Sequence, residues 1–362
     1  MARERSCSVT AVTDPVDDLA RLWRWFADGI MVGYCPIYDE IARSVAEDRE
    51  LLTLQYSARP HGHLPPMLLA AAHALLLRGI EHPLRDVYAG RSTAPAAPLF
   101  RDLCLENRAA LLDLLNTRTV QTNEVGRSAL LGPALTWAAD GEPLQLIDVG
   151  CSAGLNMLCD RYRLGYGEYG STGPEDSPVR IDCRVVAGTP PVLPSLPAIA
   201  GRVGIDLDPP DLTNPDDALW LLACVWPGTG RFQRASMAIE MGQADPPLVL
   251  RGDALETLPG VLAGLGKGRV VVLTSWSFAY FSLEQRQAWV DLLASRSESH
   301  PVVWLCMDAP GVVEFFSNEV VPQPGSRESD LLGAVTFSDG KPLRANVLAF
   351  VQSHGQSMAW RA

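Results

Sequence analysis

No run of apolar residues in this chain comes near the roughly 20 that span a bilayer. The N-terminus has two arginines but no apolar core before Asp14, Asp17 and Asp18, so no secretory signal is expected and the chain reads as soluble and cytoplasmic. No C-x-x-C pair and no short His/Cys spacing of the zinc kind occurs. The eight cysteines (Cys7, Cys35, Cys104, Cys151, Cys159, Cys183, Cys224 and Cys306) therefore read as reduced thiols, mostly in the core. Basic residues form no cluster, and a formal net charge of −12 repels phosphate backbones. Nucleic acid is not an expected partner. Internal repeats and low-complexity tracts are absent as well.

What remains is 362 residues, enough for one large domain or two ordinary ones. Residues 1–14 read as a loose tail. Helical patterns then follow from Asp14-Pro15, over Ile37–Asp48, from Pro65-Pro66 through Leu77, over Leu99–Thr117 and over Asn123–Ala139, so residues 15–140 read as an all-helical domain or lid. Trp23 and Trp25 are both expected in its core. From 141 to 362 apolar strands alternate with helical stretches, the pattern of a parallel sheet. The strand candidates are Leu144–Val149, Arg202–Asp206, Pro247–Arg251, Arg269–Thr274, Val302–Met307 and Val347–Val351. Helical stretches are expected near Gly154–Arg161, from Pro215 to about Met241, over Leu255–Leu265, Leu283–Ser295 and Val312–Asn318. Residues 162–201, rich in Gly, Pro and Tyr, read as an insertion after the first sheet helix, adjacent to the loop considered next.

The stretch Leu144–Asn156, L-Q-L-I-D-V-G-C-S-A-G-L-N, reads as strand, tight glycine turn and helix start. Such a turn lets a ligand approach the backbone and aims unpaired N–H groups at it. An acid near the strand end followed by G-x-x-x-G resembles the first motif of class I methyltransferases, whose loop wraps S-adenosylmethionine. Gly150-Cys151-Ser152-Ala153-Gly154 also matches G-x-S-x-G, the nucleophile elbow of α/β-hydrolases. A turn that only packs strand against helix is the third reading.

Ligands of an open α/β sheet bind beyond the C-terminal ends of its strands. Asp148, Gly150, Ser152, Ala153, Gly154 and Asn156 lie at or after the first such end. Asp206, with Asp208 as competitor, ends the second and suits the two hydroxyls of a ribose. Asp253 and Ala254 follow the third and suit an adenine, and Ser275 and Trp276 end the fourth. An acid on the second strand is expected about 20 residues after the glycines, and the longer interval here requires 162–201 to be an insertion. Asn123, Glu124 and Arg127 stand just before the first strand and are expected to face the cofactor's methionine end or the substrate. Glu124, Ser275 and Trp276 are the candidate catalytic groups, and Asn123, Arg127 and Trp276 the substrate contacts. Helix capping is the structural alternative for each carboxylate.

The segments 26–38, 120–131, 147–162, 203–221 and 251–255, the last reading R-G-D-A-L, resemble a bacterial family common in actinobacteria and defined only as a domain of unknown function. The resemblance covers nearly the whole chain. It implies a Rossmann-like class I methyltransferase sheet, with an N-terminal all-helical region, and brings no assigned reaction. Cys151 stands where alanine or another small residue is expected.

The function expected is S-adenosylmethionine binding, with methyl transfer to a small-molecule or peptide acceptor and S-adenosylhomocysteine as product. Methyl transfer depends chiefly on proximity in a dry pocket, so a missing acid/base motif does not count against it. The fourth strand lacks D-P-P-Y or N-P-P-Y, which disfavours exocyclic base amines as acceptors. A serine esterase using Ser152, His354 and Asp308, in the chain order of α/β-hydrolases, is the second reading. A non-catalytic ligand-binding protein of the same fold is the third. His61 and His63 lack a third metal ligand, and no metal is expected.

Overall fold

In a computed structural model, residues 14–319 and 328–362 are described; the expected loose tail over 1–14 lies outside them except for Asp14. Asp14 caps the first helix, Pro15–Phe26, by accepting from the Val16 N–H at 3.0 Å. Internal packing divides the chain into two compact units. One comprises residues up to Gln121 together with Leu219–Phe232, and the other Thr122–Ala218 together with Gln233–Ala362. The sequence pattern predicts the division at 140/141, after the helix Ser128–Ala139 that belongs here to the second unit.

The first unit is helical: Pro15–Phe26, Pro36–Glu47, Arg49–Tyr56, Pro65–Leu77, Leu84–Tyr88, Ala96–Glu106 and Arg108–Thr117. Pro65–Leu77 is apolar all round because it is buried nearly all round. Its one polar residue, His73, meets the Ala223 carbonyl at 3.1 Å, and burial lowers its pKa to about 4, so the ring is neutral. Trp23 is buried and donates its indole N–H to Gln55 at 2.8 Å. Trp25, two positions on and therefore on another face, is exposed, contrary to the expectation that both belong to the core. Leu99–Thr117, read as one helix, is two, interrupted at Asn107.

The second unit is a mixed α/β body around a mostly parallel nine-stranded sheet. In chain order the strands are β1 (Leu144–Val149), β2 (Arg163–Gly165), β3 (Ser171–Thr172), β4 (Arg180–Asp182), β5 (Arg184–Ala187), β6 (Ile199–Asp206), β7 (Val249–Arg251), β8 (Arg269–Ser275), β9 (Val302–Asp308), β10 (Asp330–Ser338), β11 (Lys341–Val351) and β12 (Ser357–Trp360). The sheet runs β5-β12-β11-β10-β9-β8-β1-β6-β7. From β1 the chain moves outward through β6 to β7, returns to pair β8 on the other side of β1, and moves outward again to β9. The strand order thus reverses between β1 and β8. All five of these strands are parallel. Strand β9, V-V-W-L-C-M-D, is buried along its whole length, as expected where helices cover both faces.

Residues 162–201 form a small sheet, β3-β2-β4, plus the edge strand β5, which pairs with β12. The helix Ser128–Ala139 accommodates this sheet at Gly132, where a Cβ would meet the Tyr166 hydroxyl at 2.8 Å. The long interval between Asp148 and Asp206 is thereby accounted for: β6 pairs directly with β1, Val149 opposite Ile205. The expected helix after Gly154 is instead a 3-10 segment, Leu155–Arg161. Side chains take carbonyls that an α-helix would use itself, Tyr162 from Leu155 at 2.7 Å and Arg202 from Met157 at 2.6 Å. The Val312–Asn318 stretch likewise holds only a 3-10 turn, Glu314–Phe316. Among the described residues no helix is long and apolar enough to cross a membrane.

Candidate functional site

The loop after β1 adopts the conformation its glycines allow. Gly150 (φ +75°) and Gly154 (φ +76°) are left-handed, and so is Ser152 (φ +54°) between them. A Cβ at Gly150 would stand 2.3 Å from that of Ser277, whose hydroxyl donates to the Val149 carbonyl at 2.6 Å. The loops following β1 and β8, on the two sides of the strand-order reversal, are therefore fastened to each other.

Asp206 closes the loop from the next strand. Its Oδ2 accepts from the Ser152 N–H at 2.8 Å and its Oδ1 from the Asp208 N–H at 3.0 Å. Asp208 points elsewhere, pairing with Arg251. Cys151 and Ala153 are buried, and a Cβ at Gly204 would meet the Cys151 sulfur at 2.5 Å, so the unexpected cysteine fills space left by a glycine on β6. Asn156 accepts from the Ser128 hydroxyl at 3.1 Å. Asp253 is an N-cap: it accepts from Leu255 and Glu256 at 2.8 and 3.4 Å, starting the helix Ala254–Ala263.

The polar run before β1 lies at the same sheet edge. Buried Glu124 accepts from the Gly126 N–H at 2.8 Å and from Arg234 at 3.1 Å. Asn123 donates to the Cys151 carbonyl at 3.5 Å, while its buried Oδ1 has no hydrogen-bond partner among the described residues. Arg127, 5% exposed, spans several strand ends, donating to the Ser353 carbonyl at 3.1 Å and to both the carbonyl and hydroxyl of Ser275 at 3.3 Å.

Three buried acids lie in the field of Arg127. Burial raises Asp148 to about 7, helped by the negative charge of Asp206 and opposed by Arg127. Burial raises Asp308 to about 7 and Asp330 to about 6, again against Arg127. Asp330 and Ser353 were missed as members of this cluster, because the hairpin β10–β11 that delivers them was read only in part. Its signal was Asp339-Gly340, a two-residue turn in which both φ values are positive.

Trp276, next to Ser275, is also left-handed (φ +60°). Its N–H donates to the Met307 carbonyl at 2.8 Å, and its buried indole N–H has no partner among the described residues. A cavity of about 630 Å³ is walled by Phe278, Leu283, Arg286, Val290 and Phe315, within the size range of ligand pockets, and Trp276 is not among its walls. The relay Ser152-His354-Asp308 is not assembled. Neither Asp308 oxygen accepts from a side chain among the described residues, and the His354 Nδ1 faces Gln352 and Ser353 instead. His63 is held by the Tyr56 and Ala58 carbonyls at 3.0 and 2.9 Å.

A family profile described as an uncharacterized protein conserved in bacteria matches residues 20–360. The chain belongs to the DUF2332 family. This DUF2332 match takes in every site residue named above. A search of curated proteins finds no match.

Proposed function

We propose that this DUF2332 chain binds S-adenosylmethionine at the loops after β1 and β8, on a Rossmann-like class I methyltransferase sheet. In this reading it transfers the methyl group to a small-molecule or peptide acceptor. The observation that carries this reading is where backbone strain is concentrated. Four non-glycine residues among those described have a left-handed φ. Asp140 ends a helix and Asp339 makes a hairpin turn, positions where such a conformation is common. The other two, Ser152 and Trp276, occupy the two loops that flank the strand-order reversal, where ligands of open α/β sheets bind.

The residues present fit the cofactor. The glycine loop offers close backbone approach, and Asp206 keeps lone pairs for ribose hydroxyls beyond those used by Ser152 and Asp208. Bound S-adenosylmethionine would supply an electrophilic methyl group. The chain's part is then to hold the acceptor in line and exclude water, with Trp276 as a wall and Arg127 fixing the loop edge through Ser275. Calorimetric titration with S-adenosylmethionine and S-adenosylhomocysteine tests the reading. Micromolar binding is expected, and no binding by the folded protein would overturn it.

A further inference from the structure

Asp308 is 2% exposed, and neither of its carboxylate oxygens has a side-chain hydrogen-bond partner among the described residues. Leaving a buried acceptor short of donors is unfavourable, and among the described residues only the Phe278 N–H supports this carboxylate by a hydrogen bond. Arg127 and Arg286 favour its ionised form by their charge, but their guanidiniums donate to backbone carbonyls and, from Arg127, to the Ser275 hydroxyl. Asp308 is one wall of a cavity of about 10 Å³, room for one water-sized group. The other walls are Cys306, Ala309, Pro310, Gly311, Val313, Phe316 and Leu331, and the one side-chain donor among them, Cys306, is turned to the Gly333 carbonyl. Among the described residues, a group entering here meets a carboxylate and no free side-chain donor. A hydroxyl would bring lone pairs with nothing to accept from, whereas an ammonium brings donors only.

Gly311 and Val313 also wall the 630 Å³ cavity, whose Phe278, Leu283, Val290 and Phe315 suit an apolar body. We propose that these adjoining spaces form a binding site for a primary amine with an apolar body, its ammonium group seated against Asp308. An ammonium has no lone pair, so the group held here is a substrate's handle and not an atom that is alkylated. The proposal stands apart from the nucleoside reading, since it draws on neither the glycine loop nor Asp206.

Hexylammonium chloride titrated into the full chain at pH 8 is the probe, with 1-hexanol and sodium chloride as controls. Saturable binding of hexylammonium is expected, with 1-hexanol weaker by roughly tenfold or more. Asp308→Asn should bring hexylammonium down to the hexanol level. Because that variant also alters a buried charge, Ala309→Leu, which fills the cavity and keeps the carboxylate, should weaken hexylammonium binding in the same way. Equal binding of the amine and the alcohol, absence of amine binding, or full affinity in either variant would overturn the proposal. No nucleoside is present in the measurement, so a negative result leaves the cofactor reading untouched.

Discussion

The Asp206 carboxylate at the end of β6 accepts the Ser152 N–H at 2.8 Å, tying the glycine loop of one strand to the terminus of its neighbour. A hydrogen bond to a charged acceptor contributes about 1.5–3 kcal/mol, and Asp206 is only half-buried, which places it near the lower end. Asp206→Ala should therefore destabilise the fold by about 1–2 kcal/mol in urea denaturation. If the same carboxylate holds a ribose, affinity for S-adenosylhomocysteine should also fall by roughly tenfold or more. Destabilisation with unchanged affinity would leave Asp206 as a loop fastener and move the cofactor site elsewhere.

Gly150 tests how the loops after β1 and β8 depend on each other. An alanine there would sit in a left-handed conformation, at about 1–2 kcal/mol, and would also drive its Cβ to 2.3 Å from that of Ser277. Gly150→Ala should lower stability by more than the backbone strain alone. Ser277→Gly removes the obstructing Cβ, so the double variant should recover part of that loss, a non-additivity readable from thermal melts. Strictly additive effects would show that the two loops adjust independently.

Much of this region is legible from local pattern. The apolar run before Gly150, the acids at strand ends and the breakpoints at proline and glycine are short-range signals, and β1, β6, β8 and β9 lie where they predict. The cluster around Arg127 is not local. Arg127 meets Ser353 across 226 positions, and only the pairing of β9, β10 and β11 brings them to one edge. Strand β10 is buried along most of its length, so it lacks the alternation that marks a strand with one wet face. Asp253 shows the opposite limit: a carboxylate at a strand end and a carboxylate capping the next helix have the same sequence signature, and the hydrogen bonds here are those of a cap.

The buried acids set a pH dependence whose sign follows from their shifts. Asp148 and Asp308 titrate at about 7 and Asp330 at about 6 in the fold, against an ordinary value of 3.8. Between these limits the folded state binds more protons than the unfolded chain. The stability contributed by the neutral acids is full below the ordinary value and is lost as pH rises through about 7. The urea midpoint should fall from pH 6 to pH 8, and Asp308→Asn should flatten that decline. Arg127 favours the charged forms, so Arg127→Gln should raise all three values further and steepen the loss. Parallel curves for wild type and Asp308→Asn would contradict the assigned burial of this carboxylate.

Ser152 separates strain from chemistry. At φ +54° it holds a conformation that disfavours a side chain by about 1–2 kcal/mol, whereas glycine adopts it freely at some cost in unfolded-state entropy. Ser152→Gly should leave stability unchanged or raise it by up to about 1 kcal/mol, because the backbone N–H that Asp206 accepts is retained. Under the cofactor reading, affinity for S-adenosylhomocysteine should then stay within a few-fold of wild type, since the loop's backbone and not the hydroxyl meets the ligand. Under an esterase reading, the same variant would lose all turnover of an activated ester. The missing hydrogen bond between His354 and Asp308 predicts that wild type has no such turnover to lose, and measurable Ser152-dependent hydrolysis would require the loop carrying His354 to rearrange toward Asp308.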